Sequence, residues 1–185
     1  RDRFASVIKG SNLGTWEWNI VTGTVQINDS WAALLGYTKE ELEPVTIETF
    51  KRLTEPEDFE RSFSLLQKHF SGEIDFYSCD VRMQHKDGHW VWILDRGQVI
   101  TWDEQHNPLI MTGTHADISK RVADAQALAR SEEENRKIFE SMNQGFAYCQ
   151  ILLDENGVPN DYRILRVNQN FEVQTGLENK NSVGK

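Results

Sequence analysis

Histidine and cysteine are the residue types in this chain that could bind a transition metal or supply a nucleophile. The five histidines are His69, His85, His89, His106 and His115. Only His85 and His89 stand at metal-ligand spacing, around a Lys-Asp-Gly turn, and such a pair is more often solvated than metal-bound. The two cysteines, Cys79 and Cys149, lie in different segments. We therefore predict no metal site, and a reduced, cytoplasmic setting.

The sequence carries no motif of a catalytic centre. It has no glycine-rich phosphate loop, no nucleophile motif and no phospho-acceptor histidine of the histidine-kinase type. A net charge of −9 opposes nucleic-acid binding, which needs a basic surface. The content of 38% hydrophobic and 26% charged residues is that of a soluble globular chain. These observations predict a chain that is not itself an enzyme and binds no nucleic acid.

Sequence periodicity predicts a hairpin followed by helices in the first part of the chain. TWEWNI and VTGTVQIN alternate around a Thr-Gly turn, which is typical of a β-hairpin. Two short helices follow, one capped by Ser30 and one opened by a capping box of Thr38 and Glu41. A longer helix starts near Pro56, and another amphipathic helix is predicted over residues 2–9. The longer helix is predicted to have one apolar face: Phe59, Phe63, Leu66 and Phe70.

Three further strands are predicted, in DFYSCDVRM, HWVWIL and LIMTGTH. HWVWIL is apolar on both faces, and strands of this kind are usually central in a sheet. One face meets the helices of the domain, and the other needs a cover, either the residue 2–9 helix or a second subunit. The order of two strands, a helix cluster and three strands predicts an α+β fold.

The sequence also contains an internal repeat. INDSWAALLGY at 27–37 aligns with VNQNFEVQTGL at 167–177, with an asparagine eight positions before a glycine in both. A helix and a hairpin precede the second copy, as they precede the first. The second copy lacks a counterpart of residues 48–118, and two strands alone are marginal in water. We interpret this pattern as a tandem duplication in a longer parent protein.

Several motifs resemble the PAS family with its C-terminal PAC segment: GTWEW at 14–18, NDSWAALLGYTKEEL, VRMQHKDGHWVW and GTHADISKR. SEEENRKIFESMNQGFAYC, VNQNFEVQTGL and VGK resemble the opening half of a second PAS domain. The resemblance implies a five-stranded antiparallel sheet with helices on one face, enclosing a small pocket. It divides the chain into a PAS/PAC domain (1–118), a linker helix (119–142) and half of a second PAS domain (143–185).

The PAS resemblance implies that inward side chains line the pocket. The predicted lining residues are Trp16, Trp18, Leu34, Phe50, Phe63, Cys79, Trp92 and Thr112. Hydrophobic core is the alternative interpretation of the same residues. Flavin is not expected because the helical region lacks the Asn-Cys-Arg motif of light-sensing members. Haem is not expected because the middle of the long helix has no histidine, with His69 close to its end. The ligand is therefore unknown: a small organic molecule or none.

Asp117 lies where the last strand gives way to a helix. Its carboxylate is suited to accept hydrogen bonds from the first helical turn and to face the positive helix end. The resemblance implies a signal-relay role for Asp117 and Ile118, with an ion pair to the domain body, for which Arg96 is a candidate. The alternative is an ordinary helix cap.

The helix after Asp117 has partial heptad spacing. Its predicted seam contains Val122, Ala125, Leu128, Glu132 and Asn135. An apolar seam with a polar centre is typical of a weak coiled coil in defined register. We therefore predict a parallel homodimer, with a solvated connector as the alternative.

The family resemblance implies an input module of a bacterial or archaeal signalling protein. The covalently linked output domain is expected to be a histidine kinase, with a GGDEF diguanylate cyclase as the alternative. Two other functions stay open: a dimerisation and relay module without a ligand, and protein docking on the sheet face. Arg1 is not an initiator residue, so the chain is expected to be a fragment whose parent could carry an upstream membrane anchor.

Overall fold

A computed structural model describes residues 13–176. The predicted residue 2–9 helix and the VGK segment at 183–185 lie outside the described residues. The chain divides into two compact units, the first ending at Ala123 and the second beginning at Asp124. No helix within the described range is long and apolar enough to cross a membrane.

The first unit contains a five-stranded antiparallel sheet with the strand order β2-β1-β5-β4-β3. Its strands are β1 (Gly14–Asn19), β2 (Val25–Ile27), β3 (Tyr77–Gln84), β4 (Trp90–Trp102) and β5 (Pro108–Asp117). Its helices between β2 and β3 are α1 (Asp29–Leu34), α2 (Lys39–Leu42), α3 (Ile47–Leu53) and α4 (Pro56–Phe70). The predicted antiparallel sheet with helices is confirmed.

Alternate residues of each strand enter the core that the sheet shares with the helices. Val91 and Ile93 of β4 are buried, and so are Met111 of β5 and Trp18 of β1. Trp31 of α1 packs in the same hydrophobic cluster. The parity of each strand therefore decides which side chains can line an interior cavity.

The N-cap of helix α1 lies two residues before the predicted one. Asn28, and not Ser30, is the N-cap, because the Oδ1 atom of Asn28 accepts the backbone N–H of Trp31 at 2.9 Å. The same Oδ1 atom accepts the N–H of Thr15 at 2.9 Å, so one side chain fixes the helix to β1. The capping box of Thr38 and Glu41 at α2 is present.

The buried face of helix α4 shares only Leu66 with the predicted apolar face. Its buried residues are Asp58, Ser62, Leu66 and His69, whereas Phe63 is 44% exposed. The polar members stay inside because each has a partner. The Nε2 atom of His69, for example, accepts the N–H of Val99 at 3.0 Å, and its Nδ1 atom lies 3.0 Å from the Ile74 carbonyl.

The second unit contains a two-stranded antiparallel sheet of β6 (Ala147–Leu153) and β7 (Pro159–Val167), followed by α6 (Gln169–Thr175). Asn168 caps α6, and its Oδ1 atom accepts the N–H groups of Phe146 at 2.7 Å and Phe171 at 3.0 Å. Asn168 therefore joins its strand and helix in the same way as Asn28. Tyr148, Ile151 and Tyr162 of this sheet are exposed.

Helix α5 (Ser119–Ser141) follows β5 and carries no buried residue. Leu128 is 62% exposed. Its surface has ion pairs at helical spacing, including Arg130 with Glu134 at 2.9 Å. Such pairs stabilise a solvated helix only modestly.

Candidate ligand cavity and helix junction

A cavity of about 40 Å³ lies between the sheet and the helices of the first unit. One water molecule needs about 10–15 Å³ of such volume. The cavity therefore has room for roughly three water molecules or a ligand of similar size. Its lining residues are Trp16, Trp18, Val25, Trp31, Val45, Thr46, Ile47, Phe50, Leu66, Tyr77, Asp95 and His115. The lining is therefore mainly aromatic and aliphatic, with a few polar groups, as in small-molecule sites.

Asp95 is the buried acid of this cavity, and donors on three other strands converge on it. Its Oδ1 atom accepts the Trp16 Nε1–H at 3.0 Å, and its Oδ2 atom accepts the Tyr77 hydroxyl at 2.9 Å. The Nε2 atom of His115 lies 3.1 Å from Oδ1. Ser62 of α4 extends the network, since its Oγ atom lies 2.7 Å from the Tyr77 oxygen. A buried carboxylate needs partners of this kind.

Two glycines of the sheet allow Trp16 to reach Asp95. A Cβ atom on Gly97 would lie 2.6 Å from the Trp16 ring, and one on Gly113 would lie 2.2 Å from it. Contacts that short are not tolerated, so any side chain at either position would displace the indole. The Trp16 indole therefore packs directly against the backbone of β4 and β5 at these two glycines.

The polar network lies within an aromatic wall. The His115 ring stacks on Trp31 with centroids 5.2 Å apart, and Phe50 lies 6.1 Å away. Burial raises the pKa of the Tyr77 hydroxyl well above its ordinary value, and the nearby Asp95 charge adds to this effect. Tyr77 therefore keeps its proton and remains a hydrogen-bond donor to Asp95 at neutral pH.

Trp18 has a buried donor without a partner. Its side chain is 8% exposed and lines the cavity. Within residues 13–176 its Nε1 atom is the one buried side-chain nitrogen or oxygen that lacks a hydrogen bond. An unpaired buried N–H costs about 1–3 kcal/mol.

Three of the eight predicted lining residues contact the cavity: Trp16, Trp18 and Phe50. Leu34 and Cys79 lie in the core but outside the lining. Burial also raises the pKa of the Cys79 thiol.

Three other predicted lining residues lie away from the cavity. Phe63 is on the exposed side of α4. Trp92 and Thr112 have the outward strand parity, and Trp92 packs under the Arg82 guanidinium at 5.5 Å. The polar centre, Asp95 and His115, was missed by the sequence analysis. Strand alternation could have indicated both residues. Asp95 is two positions from the buried Ile93, and His115 is four positions from the buried Met111, so both share the inward face.

The cavity lies close to the start of α5 along β4 and β5. Asp117 stands two positions after His115, and it pairs in the sheet with Ile93, two positions before Asp95. The Asp117 Oδ1 atom accepts the N–H of Ser119 at 2.8 Å, the first residue of α5. The carboxylate thus contacts the helix start in the manner expected from the sequence.

Backbone bonds to Trp92 also fix the start of α5. The Ile118 N–H donates to the Trp92 carbonyl at 2.8 Å, and the Trp92 N–H donates to the Ser119 Oγ atom at 3.0 Å. Ile118 is 7% exposed. Arg121 then forms an ion pair with Asp80 of β3 at 3.3 Å.

The structure contains no ion pair between Asp117 and the candidate partner Arg96. Arg96 is paired with Thr114 in the sheet, three residues before Asp117 along β5. At the strand rise of about 3.3 Å per residue, this separation is too long for a direct contact. Arg121 and Asp80 form the ion pair of this junction instead.

Comparisons with known proteins agree with this fold. Residues 24–115 match the sequence family described as the PAS fold. A crystal structure of a sensory box histidine kinase/response regulator from Burkholderia thailandensis E264 is 30% identical, with a TM-score of 0.64. The match covers 73% of this chain and 98% of that one. The five-stranded sheet and the sequence match together define a PAS fold.

Two further relatives are described as diguanylate cyclases. The crystal structure of the N-terminal domain of a diguanylate cyclase with PAS/PAC sensor from Marinobacter aquaeolei is 27% identical, with a TM-score of 0.51, over 59% of this chain and 97% of that one. A probable diguanylate cyclase of Escherichia coli (strain K12) is 30% identical over 63% of this chain, which spans about a tenth of that relative's length. The chain belongs to the PAS family. Its first unit is a PAS sensor domain, a non-catalytic fold found in signal-transduction proteins.

Proposed function

We propose that the first unit is a sensor for a small polar molecule bound in the cavity around Trp18. The observations that carry this proposal are that the buried Trp18 N–H lacks a protein acceptor and that Trp18 is one of the residues lining the cavity. A ligand oxygen or nitrogen would accept this hydrogen bond and remove the free-energy penalty of the unpaired group. The affinity for the ligand would then be coupled to the packing of the core.

The chemistry of the lining restricts the ligand. Both oxygens of Asp95 already accept protein donors, and the rest of the lining is mainly apolar, which disfavours a charged ligand. Stacked rings of Trp31 and His115 favour a flat molecule. We therefore expect a small, planar, uncharged ligand that offers at least one acceptor.

The route of the signal runs from the cavity to α5. Asp95 and His115 stand within two positions of the paired Ile93 and Asp117 on the same two strands. A ligand that shifts either side chain would displace the β4–β5 end, and the Trp92 and Asp117 hydrogen bonds would pass this displacement to α5. Asp117 and Ile118 act as relay residues in this proposal, and Arg121 takes the place of Arg96.

The division of the chain follows from this route. Residues 1–118 form the PAS domain with its PAC segment, and 119–142 form a signalling linker helix that pairs with a second copy. Residues 143–185 form the first half of a second PAS domain. The matched environments of Asn28 and Asn168 support the repeat. The positions of Gly14 and Gly145 support it as well, since a Cβ on either would lie within 3 Å of the Trp31 or Phe171 Cα atom.

The parent protein is proposed to be a signalling enzyme with its output domain outside this chain. A histidine kinase is favoured by the sensory box relative, and a diguanylate cyclase is the alternative supported by the two cyclase relatives. Phosphate transfer from ATP to a histidine, or condensation of GTP, measured on the parent protein, distinguishes the two. The site of action is proposed to be the cytoplasm.

Native mass spectrometry of the gently purified chain tests the ligand proposal. We expect a stoichiometric additional mass in the wild type that is lost or reduced in Trp18→Phe. The matched control is Trp102→Phe, which changes an indole outside the cavity. Two results together contradict a ligand sensor. The wild type has the mass of the protein alone, and small planar amides or azoles do not raise the melting temperature of either the wild type or Trp18→Phe.

A relay module without a ligand is the second candidate. The observation that favours it is the small cavity volume of about 40 Å³. In this case buried water would satisfy Trp18, and the input would come through the N-terminal side of the parent. Unchanged output of the parent after Trp18→Phe, with altered output after Asp117→Ala, is expected for this candidate.

A further inference from the structure

The turn between β3 and β4 brings together three side chains that can ligate a metal: His85, Asp87 and His89. One ligand atom from each lies within 4.8 Å of the others. The two imidazole rings stack with centroids 4.3 Å apart and planes 22° apart. Within residues 13–176, this is the one group of three histidine, cysteine or acidic side chains with such spacing. Asp87 lies on the Lys-Asp-Gly turn between the two histidines.

The turn is fixed by its own backbone and by the end of α1. The N–H of His85 donates to the His89 carbonyl at 2.8 Å, and the N–H of Lys86 donates to the Leu35 carbonyl at 2.9 Å. The His85 ring lies directly on Gly36, where a Cβ atom would be 2.3 Å from Nε2. His85 is therefore held in place before any ion binds, which lowers the entropy lost on binding.

The ring of His85 is oriented with its Nδ1 atom towards Asp87, the neighbouring candidate ligand. Its Nδ1 atom accepts the Asp87 N–H at 3.1 Å. The same atom lies 3.4 Å from the Asp87 Oδ2 atom. Nδ1 therefore faces the carboxylate, whereas Nε2 faces Gly36. The nearby Lys86 ammonium is paired with Glu41, which reduces its repulsion of a cation.

We propose that His85, Asp87 and His89 bind a divalent transition-metal ion, with zinc as the representative. Two imidazoles and one carboxylate suit zinc, nickel or copper better than calcium or magnesium. Tetrahedral zinc places its ligand atoms roughly 3.4 Å apart. The exposed Asp87 and His89 side chains can close to that separation by rotation, and the ion replaces the hydrogen bond at Nδ1. Solvent completes the coordination.

This site is independent of the interior cavity. The three ligands stand on the turn, and none of them lines the cavity. Metal binding at the turn and ligand binding at Trp18 can therefore succeed or fail separately.

Isothermal titration calorimetry, with zinc added to tag-free protein, tests the proposal. Cys149→Ser is the reference protein, because it removes the exposed thiol that could bind zinc independently. We expect one zinc ion per chain. His89→Ala and Asp87→Asn in this background are each expected to lower the affinity at least about tenfold. His106→Ala is the matched control, since this histidine lies on another loop, and its affinity should equal the reference.

His89 is the decisive position because its side chain is exposed, whereas His85 packs on Gly36 and its loss could unfold the turn. Circular dichroism of each variant without zinc verifies the fold. Absence of stoichiometric binding to the reference, or a fall of less than tenfold in a folded His89→Ala protein, overturns the proposal.

Discussion

At the residue scale, polar side chains occupy inward positions that the hydrophobic pattern does not reveal. Asp58, Ser62 and His69 of α4 are buried, and so are Asp95 and His115 of the sheet. Each lies within hydrogen-bonding distance of a partner, which offsets the loss of hydration. Trp18 differs from this group because its buried N–H has no partner.

Asp58 is the buried acid that connects α4 to β3. Its Oδ2 atom accepts the Arg82 backbone N–H at 2.9 Å and the Arg82 Nε–H at 2.7 Å, and Oδ1 lies 2.8 Å from an Arg61 nitrogen. Burial opposes ionisation, but the hydrogen bonds from Arg82 and Arg61 outweigh it and lower the pKa of Asp58. The ionised form is therefore the one that stabilises the fold.

We predict that Asp58→Asn lowers the free energy of unfolding by about 2 kcal/mol at neutral pH, because charge-assisted hydrogen bonds are lost. A lowered folded-state pKa contributes stability above the unfolded carboxyl pKa of about 4. That contribution is lost as the pH falls through the lower folded-state value. Urea unfolding at a series of pH values should show the wild type and variant converging in acid.

The control for this experiment is Asp75→Asn, which changes an exposed aspartate. Its unfolding curve should follow that of the wild type throughout the pH range. A gap between wild type and Asp58→Asn that stays constant into acid would contradict the ionic role of Asp58.

The interior site could be predicted only in part from the sequence. Trp16, Trp18 and Phe50 were found because large aromatic residues with inward parity are conspicuous. Trp92 and Thr112 were misplaced because the apolar runs in HWVWIL and LIMTGTH cover both faces of β4 and β5 and do not indicate which parity is inward. Asp95 and His115 lie at even spacing from the buried Ile93 and Met111, so their side chains point to the inward face.

At the element scale, the junction of β5 and α5 depends on a short polar contact. The Asp117 carboxylate accepts the Ser119 N–H, and Ser119 in turn accepts the Trp92 N–H. The helix start is thereby connected to two neighbouring strands. Helix α5 buries no residue of its own, so its first turn is held by polar contacts such as these, together with the Arg121–Asp80 ion pair.

We predict that Asp117→Ala destabilises the first turn of α5 by about 1 kcal/mol, the usual effect of losing a side-chain cap. Amide hydrogen exchange of Lys120 to Ala123 should accelerate about fivefold, the factor that corresponds to this free energy. Ser131→Ala, an exposed change within the same helix, serves as the control and should leave these rates unchanged. Equal exchange rates in wild type and Asp117→Ala would exclude a capping function.

The elements themselves followed closely from the sequence, and their details followed less well. Alternation in TWEWNI and DFYSCDVRM predicted β1 and β3, because side chains of a half-buried strand alternate. The buried face of α4 was predicted correctly only at Leu66, because Asp58, Ser62 and His69 make hydrogen bonds that sequence periodicity cannot anticipate.

At the scale of the whole molecule, the proposed homodimer pairs through α5. Leu128 is 62% exposed, and the heptad positions Ala125, Glu132 and Asn135 are exposed as well. A polar pair in the middle of the seam weakens association while fixing its register. This arrangement suits a helix pair whose packing changes with signal.

We predict that the double variant Glu132→Leu and Asn135→Leu strengthens dimerisation at least about tenfold, because two leucines per chain enter the seam. Sedimentation equilibrium measures this change directly. The control carries leucine at Arg130 and Lys137, on the opposite face of the helix. Equal dimer affinity in both double variants would contradict a seam at these positions. In the parent protein, the seam variant should have output that no longer responds to signal.

The convergence of four strands on one carboxylate has a kinetic consequence. Trp16, Tyr77 and His115 contact Asp95 from β1, β3 and β5, while Asp95 itself belongs to β4. A rearrangement of this acid therefore changes the contacts of side chains on all four strands. Nuclear magnetic resonance relaxation dispersion should therefore report a single common exchange rate across these strands.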